Sequence, residues 1–264
     1  MTTNISASTA FSYLLLIAIS LSACGKEQVQ PATVEPGATL TSQRPQAIAK
    51  TNNLVLKTFT RNGRTYHFNY SPNGKVDSIV ITGDQEYVYR TTYKGNHLDS
   101  VILFHHGQIV SVNRNFQYKG NLIVGYDYFD RIDNFPFPWS SSIEYDTQNR
   151  IVSIQRAYHD KIVDRMQWTY NANGDVVNRT GFGSDDGSYS YDSGLNPLHM
   201  VPDLFVLFVE ESYISEYCFS VHNLVTKINP AWPTITYTNQ YNDAGQLIST
   251  STSYRWINFS FTYQ

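Results

Sequence analysis

The chain is poor in cysteine and in charged residues, and both shortages narrow what it can be. Only 2 of its 264 residues are cysteine, which excludes a disulfide framework. Charged residues make up 16%, and the formal net charge is −3. A nucleic-acid-binding protein would show a basic stripe or patch, so we expect no nucleic-acid partner.

The sequence also lacks the short motifs of common enzymes and metal sites. It contains no Gly-x-Ser-x-Gly elbow, no glycine-rich phosphate loop and no zinc-type cysteine pair. His105 and His106 are adjacent, so on a strand they would point to opposite faces and could not share a metal ion. Glu210 and Glu211 are also adjacent and would not face each other across a cleft. We therefore expect a non-enzymatic protein with no cofactor and no metal.

The N-terminus has the pattern of a segment that is removed from the mature chain. Residues 11 to 20 form an apolar run too short to span a membrane comfortably, and small residues follow it. The run ends in Leu21-Ser22-Ala23-Cys24, which resembles the lipobox of bacterial lipoproteins. This resemblance implies a signal peptide over residues 1–23 and fatty acyl chains, such as palmitate, on Cys24. An ordinary secretory signal and an uncleaved anchor helix are the alternatives.

Residues 24–50 are predicted to be the lipidated cysteine and a disordered tether, because they contain three prolines and no aromatic residue. Flexible-chain scaling gives the tether a reach of roughly 28 Å. Gly25 stands directly after Cys24, which resembles an outer-membrane address. We expect a cell-envelope protein, bound to the outer membrane through its lipid on the periplasmic or the surface face. Cys218 is then left alone and is expected to be a small buried hydrophobe.

Residues 51–264 carry a repeat that predicts antiparallel β-structure. Its fullest copy is Tyr70-Ser-Pro-Asn-Gly-Lys-Val, and near-copies begin at Tyr145, Tyr170 and Tyr241. Aromatic residues alternate upstream of each tyrosine, which is typical of a strand with one buried face. Gly or Asn four positions after the tyrosine permits the positive φ of a hairpin turn. Two apolar residues three positions apart follow and indicate a bulge at the start of the return strand.

The spacing of the repeat gives the expected size of the sheet. Six spacings separate the anchors, of 23, 25, 27, 25, 21 and 50 residues, and we interpret the last as close to two units. The anchors are Tyr70, Tyr93, Tyr118, Tyr145, Tyr170, Tyr191 and Tyr241. We predict an all-β fold with one short helix, in which an antiparallel meander of consecutive hairpins forms a curled single sheet or open barrel.

The repeat lapses over residues 196–228, which we interpret as a divergent insert. Residues 204–209 are apolar all round and follow Pro202-Asp203, which favours a short buried helix. A buried strand is the competing interpretation, since Val and Phe are good strand formers. In either case we expect this short apolar insert to pack into the hollow of the sheet.

The Tyr-Asp/Asn-x-x-Gly pattern resembles the YD repeats of RHS-type proteins. The layout is closest to that of bacterial lipoproteins with such repeats, including the Tyr191-Asp192 to Asn196-Pro197 stretch and Asn223 to Ile228. The likeness covers residues 52 to 264 and concerns the fold, because function depends on sites rather than on folds. With about seven units, a closed shell is not expected.

Aromatic residues outside the repeat supply the candidate ligand platform. Phe135, Phe137 and Trp139 lie in a long link between units, and Trp232 stands beside prolines. These rings could bind sugars or peptides, or could instead cover a sheet edge or fill the hollow of the sheet. The sequence thus predicts a lipid-anchored, non-enzymatic binding or scaffold module with an envelope protein or a glycan as partner. The alternatives are a surface glycan binder and a glycoside-acting hydrolase.

Overall fold

A computed structural model describes the part of the chain that carries the repeat. It covers residues 55–130, 139–181, 186–201, 203–208, 215–254 and 258–264. All of them belong to the compact unit Thr51–Gln264. The first eight strands are β1 (Leu56–Arg61), β2 (Arg64–Tyr70), β3 (Val76–Thr82), β4 (Tyr87–Lys94), β5 (His97–His105), β6 (Gln108–Lys119), β7 (Leu122–Asp130) and β8 (Trp139–Tyr145).

The second half of this unit contains eight further strands and, within the described residues, two short helices. The strands are β9 (Ile151–Tyr158), β10 (Lys161–Tyr170), β11 (Val176–Gly181), β12 (Gly187–Leu195), β13 (His222–Asn229), β14 (Trp232–Tyr241), β15 (Leu247–Thr252) and β16 (Phe259–Tyr263). The helices are α1 (Leu204–Phe208) and α2 (Ser215–Phe219), between β12 and β13. Neither helix is long enough to cross a bilayer.

The strands form a closed antiparallel barrel. Each strand pairs with its neighbours in the chain, and β16 pairs with β1, where Phe261 lies opposite Phe59. The predicted all-β meander is therefore confirmed, whereas the predicted curled single sheet or open barrel matches only in part, because the barrel is closed. The unit count was short because Tyr263 ends a strand with no turn after it. The 50-residue spacing holds one unit rather than two, because the insert lies in the connection between β12 and β13.

The turns and bulges follow from the repeat. Gly74, Asn149 and Gly174 have φ values of 77°, 61° and 89°, as the hairpin prediction required. The ladder between β2 and β3 shifts register between Asn69 and Tyr70, and five other ladders shift at the residue before a repeat tyrosine. These shifts are the predicted bulges.

The second residue of the repeat closes the turn. Asp146 Oδ1 accepts hydrogen bonds from the backbone N–H groups of Gln148 and Arg150, at 2.8 and 3.0 Å. The equivalent asparagines, 171 and 242, accept the same pair of bonds. This short side-chain acceptor adds to the backbone bonds that close the same turn, such as that from Asn149 N–H to the carbonyl of Asp146 at 3.1 Å. This role explains the preference for Asp or Asn.

The repeat tyrosine joins one hairpin to the next. Its hydroxyl donates to the backbone carbonyl of the apolar residue that begins the return strand of a neighbouring unit, at 2.6 to 2.9 Å. We call these the inter-unit tyrosine bonds: Tyr70 to Leu56, Tyr118 to Leu98, Tyr145 to Ile123, Tyr170 to Ile151 and Tyr263 to Leu247. In the Tyr93 unit, Thr91 Oγ1 donates to the corresponding carbonyl, that of Val76.

The barrel is apolar inside, and its outer face carries many polar side chains. Phe59, Ile79, Ile154 and Trp168 are fully buried on its inner face. Polar side chains hydrogen-bond across neighbouring strands on its outer face: Asn69 with Ser78, Thr92 with Ser100, and Gln240 with Ser249. A wall facing lipid tails carries its apolar band outside. On the described outer face, polar pairs stand beside an apolar patch over β3–β7 that includes Val88, Phe104 and Phe129.

The insert packs inside the barrel, as predicted. Phe219 meets Trp168 of β10 with ring centroids 5.0 Å apart, and Tyr217 meets Phe259 of β16 at the same distance. The predicted helix is confirmed over Leu204–Phe208, and α2 is a second helix that the sequence did not predict.

Buried polar bonds fix the two ends of the insert. Asn196 donates to the carbonyl of Ser220 at 2.9 Å and accepts from the backbone N–H of Leu198 at 3.0 Å. Asp175, 2% exposed, accepts from the backbone N–H of His222 at 2.8 Å and lies 3.0 Å from its Nδ1. These bonds tie the insert to the turn after β10 and to the start of β13.

Candidate ligand-binding site

The two ends of the barrel are built differently. The repeat turns and residues 55 and 264 lie at one end of the barrel, and the inter-unit tyrosine bonds lie at the same end. The turns at residues 62–63, 106–107, 159–160 and 230–231 lie at the other end, which we call the mouth. An inward side chain near the mouth is therefore far from the repeat turns.

Aromatic packing fills the interior on the side of β14, β15, β16 and β1. Phe59 stacks against Phe259 and Phe261 with centroids 5.5 and 5.4 Å apart, and Tyr217 of the insert meets Tyr237 at 6.1 Å. β8 lies eight positions from β16 in either direction around the barrel of sixteen strands, so β6 to β10 form the opposite side.

On that opposite side, inward residues of five strands form one continuous surface. Across the ladders Asn113 pairs with Tyr128, Tyr128 with Trp139, and Trp139 with Tyr158. A second row runs beside the first and comprises Tyr126, Ser141, Arg156 and Asp164, paired in that order. We call these eight residues the β6–β10 wall.

The aromatic part of the wall is half-buried. The rings of Trp139 and Tyr158 have centroids 5.3 Å apart and are tilted by 39°, and Tyr128 donates to Asp130 Oδ2 at 3.2 Å. None of the three rings is fully buried, in contrast to Trp168 deeper in the barrel. The wall thus carries three partly exposed aromatic rings.

Two acceptor atoms of the wall are buried without a hydrogen-bond partner. They are Asn113 Oδ1 and Asp164 Oδ1. Asn113 is 8% exposed, and its Nδ2 donates to the carbonyl of Val206 in α1 at 3.3 Å. Buried polar atoms in native proteins almost always have a partner, so each such atom indicates an occupant, which can be water or a ligand.

The charges of the wall are one arginine and one carboxylate. Burial raises the pKa of Asp164 above its usual range, although the nearby positive charges of Arg156 and Arg179 oppose that shift. Arg179 is buried on β11, where its guanidinium donates to Met166 Sδ at 3.6 Å. Asp164 is therefore a partly buried carboxylate with two arginines nearby.

The structure separates the candidate platform residues that it describes. Trp139 lies in the wall, whereas Trp232 begins β14, six strands away, and is 61% exposed. Phe135, Phe137 and Cys24 lie outside the described residues. The wall partners of Trp139 were missed, because the pairing of five strands cannot be read from the chain; only the alternation within each strand pointed inward.

The two adjacent histidines lie differently from the strand expectation. His105 faces inward and stacks on Tyr87 at 4.5 Å, but His106 lies in a turn with φ of 48°, not on a strand. The two rings are therefore 4.2 Å apart rather than on opposite faces, which corrects the strand argument. Within the described ranges, no group of three or more His, Cys, Asp or Glu side chains could hold a metal ion. Cys218 is buried.

Comparison with known proteins identifies the fold but no family. No family model matches, and no curated protein matches. A porin-like protein from Bacteroides uniformis aligns with a TM-score of 0.55 and 14% identity, over 80% of this chain and 96% of that one. A porin-like protein from Bacteroides vulgatus aligns with a TM-score of 0.38 and 12% identity, over 80% and 99%. The second alignment is too loose to support an argument. The first shows a similar all-β barrel fold.

Proposed function

We propose that this chain is a non-enzymatic binding module of the cell envelope, held to the outer membrane by lipid on Cys24, with its ligand at the β6–β10 wall. The observation that carries the proposal is the half-buried aromatic row of Tyr128, Trp139 and Tyr158 beside two unpaired buried acceptors. Aromatic surface with a few directed polar groups is the usual composition of a ligand site.

A binding role is better supported than catalysis. Glycoside hydrolysis uses two carboxyl groups that face each other across the substrate. The wall has one carboxylate, Asp164 on β10, and the carboxylate that Tyr128 contacts, Asp130, ends β7, three strands away. The second candidate in the sequence, a surface glycan binder using Trp139 and Trp232 together, would need one ligand to reach two sites six strands apart. A ligand on Trp139 alone needs no such span.

The binding role is tested by screening the full chain, purified in detergent, for thermal stabilisation. The library should include sugars, peptides, nucleotides and lipids, because the wall could accept several of these. A ligand at one hundred times its dissociation constant should raise the melting temperature by about 5–10 °C. The Trp139→Ala variant should lose the effect and Asp99→Ala, on the exposed face of β5, should keep it. A library that stabilises neither the wild type nor the control would refute a binding role.

The anchor is tested separately. Cells expressing the chain are labelled with radioactive palmitate and separated into membrane and soluble fractions. The wild type should carry the label in the membrane fraction, and Cys24→Ser should carry none. Label on both variants would show that acylation does not depend on Cys24 and would refute this part of the proposal.

A further inference from the structure

The unpaired atoms of the wall specify the chemistry of what they meet. Asn113 Oδ1 and Asp164 Oδ1 are both acceptors, so an occupant must present hydrogen-bond donors to them. The two residues lie on β6 and β10, at opposite margins of the wall, and the aromatic residues of the wall lie between them. An occupant therefore needs donors at two separated points and an apolar face between those points.

The charges of the wall limit the net charge of that occupant. Arg156 and Asp164 are cross-strand partners, so their charges largely cancel along the second row. A strongly anionic ligand would meet the Asp164 carboxylate, and a strongly cationic ligand would meet Arg156. Like charges brought together in a partly buried site oppose binding.

We infer that the β6–β10 wall binds an uncharged oligosaccharide, with one sugar ring against Trp139 and hydroxyl groups of neighbouring rings donating to Asn113 Oδ1 and Asp164 Oδ1. Four strand spacings of about 4.8 Å separate β6 from β10, so several linked rings are needed to reach both acceptors. This inference rests on the proposed binding function and specifies its ligand class. A pyranose ring has an apolar face of C–H groups and hydroxyl donors around its edge, which matches the arrangement of the wall. Peptides and nucleotides also stack on aromatic rings but carry fewer donors or more charge.

The test is calorimetric titration of the full chain with two sets of sugars. One set is neutral: oligomers of glucose, mannose, xylose and N-acetylglucosamine. The other is a series of oligogalacturonides, which carry a carboxylate on each ring. At least one neutral oligomer should bind, and the oligogalacturonides should bind at least tenfold more weakly. Preferential binding of the oligogalacturonides would overturn the inference.

Variants locate the site and identify the acceptor. Trp139→Ala should weaken binding of the neutral oligomer at least about tenfold, as loss of a central aromatic anchor does. Asp164→Ala should weaken it about tenfold, since it removes a hydrogen bond to a charged acceptor. Asp164→Asn keeps an acceptor oxygen and should retain most of the affinity, which a merely structural role would not predict. Trp232→Ala and Asp99→Ala should bind as the wild type does.

Two outcomes separate this inference from the function beneath it. If no saccharide binds but a peptide or lipid stabilises the chain in a Trp139-dependent manner, the saccharide inference is refuted and the binding function stands. If sugar binding depends on Trp232 and not on Trp139, the ligand lies at the outer rim, and both the wall and the inference are refuted.

Discussion

The inter-unit tyrosine bonds should contribute measurably to the free energy of unfolding, beyond what the packing of the aromatic rings contributes. Tyr145 donates to the carbonyl of Ile123 at 2.7 Å, and Tyr145→Phe removes that donor while keeping the ring. The net value of such a bond is about 1 kcal/mol. For a domain of this size, the loss should lower the melting temperature by about 2–4 °C.

A double variant and a matched control sharpen the expectation. Tyr70 and Tyr170 are four units apart, so their hydroxyls share no acceptor. Losses at distant sites add, so the double Phe variant should lose about 2 kcal/mol. Tyr87→Phe is the matched control, because its hydroxyl bonds only an exposed partner, Gln85 Oε1, at 2.5 Å.

The assay is urea unfolding of each variant, monitored by far-ultraviolet circular dichroism. The tyrosine-to-phenylalanine variants of the inter-unit tyrosine bonds should lose stability while the dependence of the unfolding free energy on urea concentration is unchanged, and the control should stay within about 0.5 kcal/mol of wild type. Equal losses in Tyr87→Phe and Tyr145→Phe would show that the hydroxyl-to-carbonyl bonds contribute nothing specific, and the reasoning would fail.

Three further predictions concern titratable groups. Burial raises the pKa of Tyr118 to about 12, so the stability that its neutral form contributes is complete below pH 10 and lost as the pH rises towards 12; phenolate absorbance should lag behind that of the unfolded chain. Burial lowers the pKa of His199, so the chain should lose stability as the pH falls below about 6.5, and His199→Gln should flatten the melting-temperature profile there. Asp175→Ala leaves the buried donors of His222 unpaired and should cost about 2 kcal/mol in urea unfolding, whereas Asp77→Ala, on an exposed position of β3, should cost little.

Much of the local structure could be predicted because the repeat encodes it locally. Gly74 and Asn149 specify turns through their φ values, and Val76 and Ile79 reveal the bulge through their spacing. Each of these signals lies within ten residues of chain. The insert was predictable for the same reason, since residues 204–208 are apolar on every side.

Closure could not be predicted, because it depends on residues about two hundred positions apart. The pairing of Leu56 with Tyr263 has no local signature, and the final strand carries no turn motif that would mark it as a unit. The wall has the same property. Asn113, Trp139 and Asp164 become neighbours only through the registers of the ladders between β6 and β10, which bulges shift by single residues.

The width of the barrel explains why a ligand site lies where it does. A barrel of about sixteen strands encloses more space than inward side chains alone can fill. The insert supplies part of the missing volume: Tyr217 reaches Tyr237 and Phe259, and Phe219 reaches Trp168 deep on β10. Nearer the mouth, Trp139 and Tyr158 are partly exposed, and two buried acceptor atoms of the wall lack partners. The space for a ligand is therefore at the half-buried rings, whereas Ser141 beside them is only 6% exposed, so Ser141→Phe should overpack the wall and lower the melting temperature.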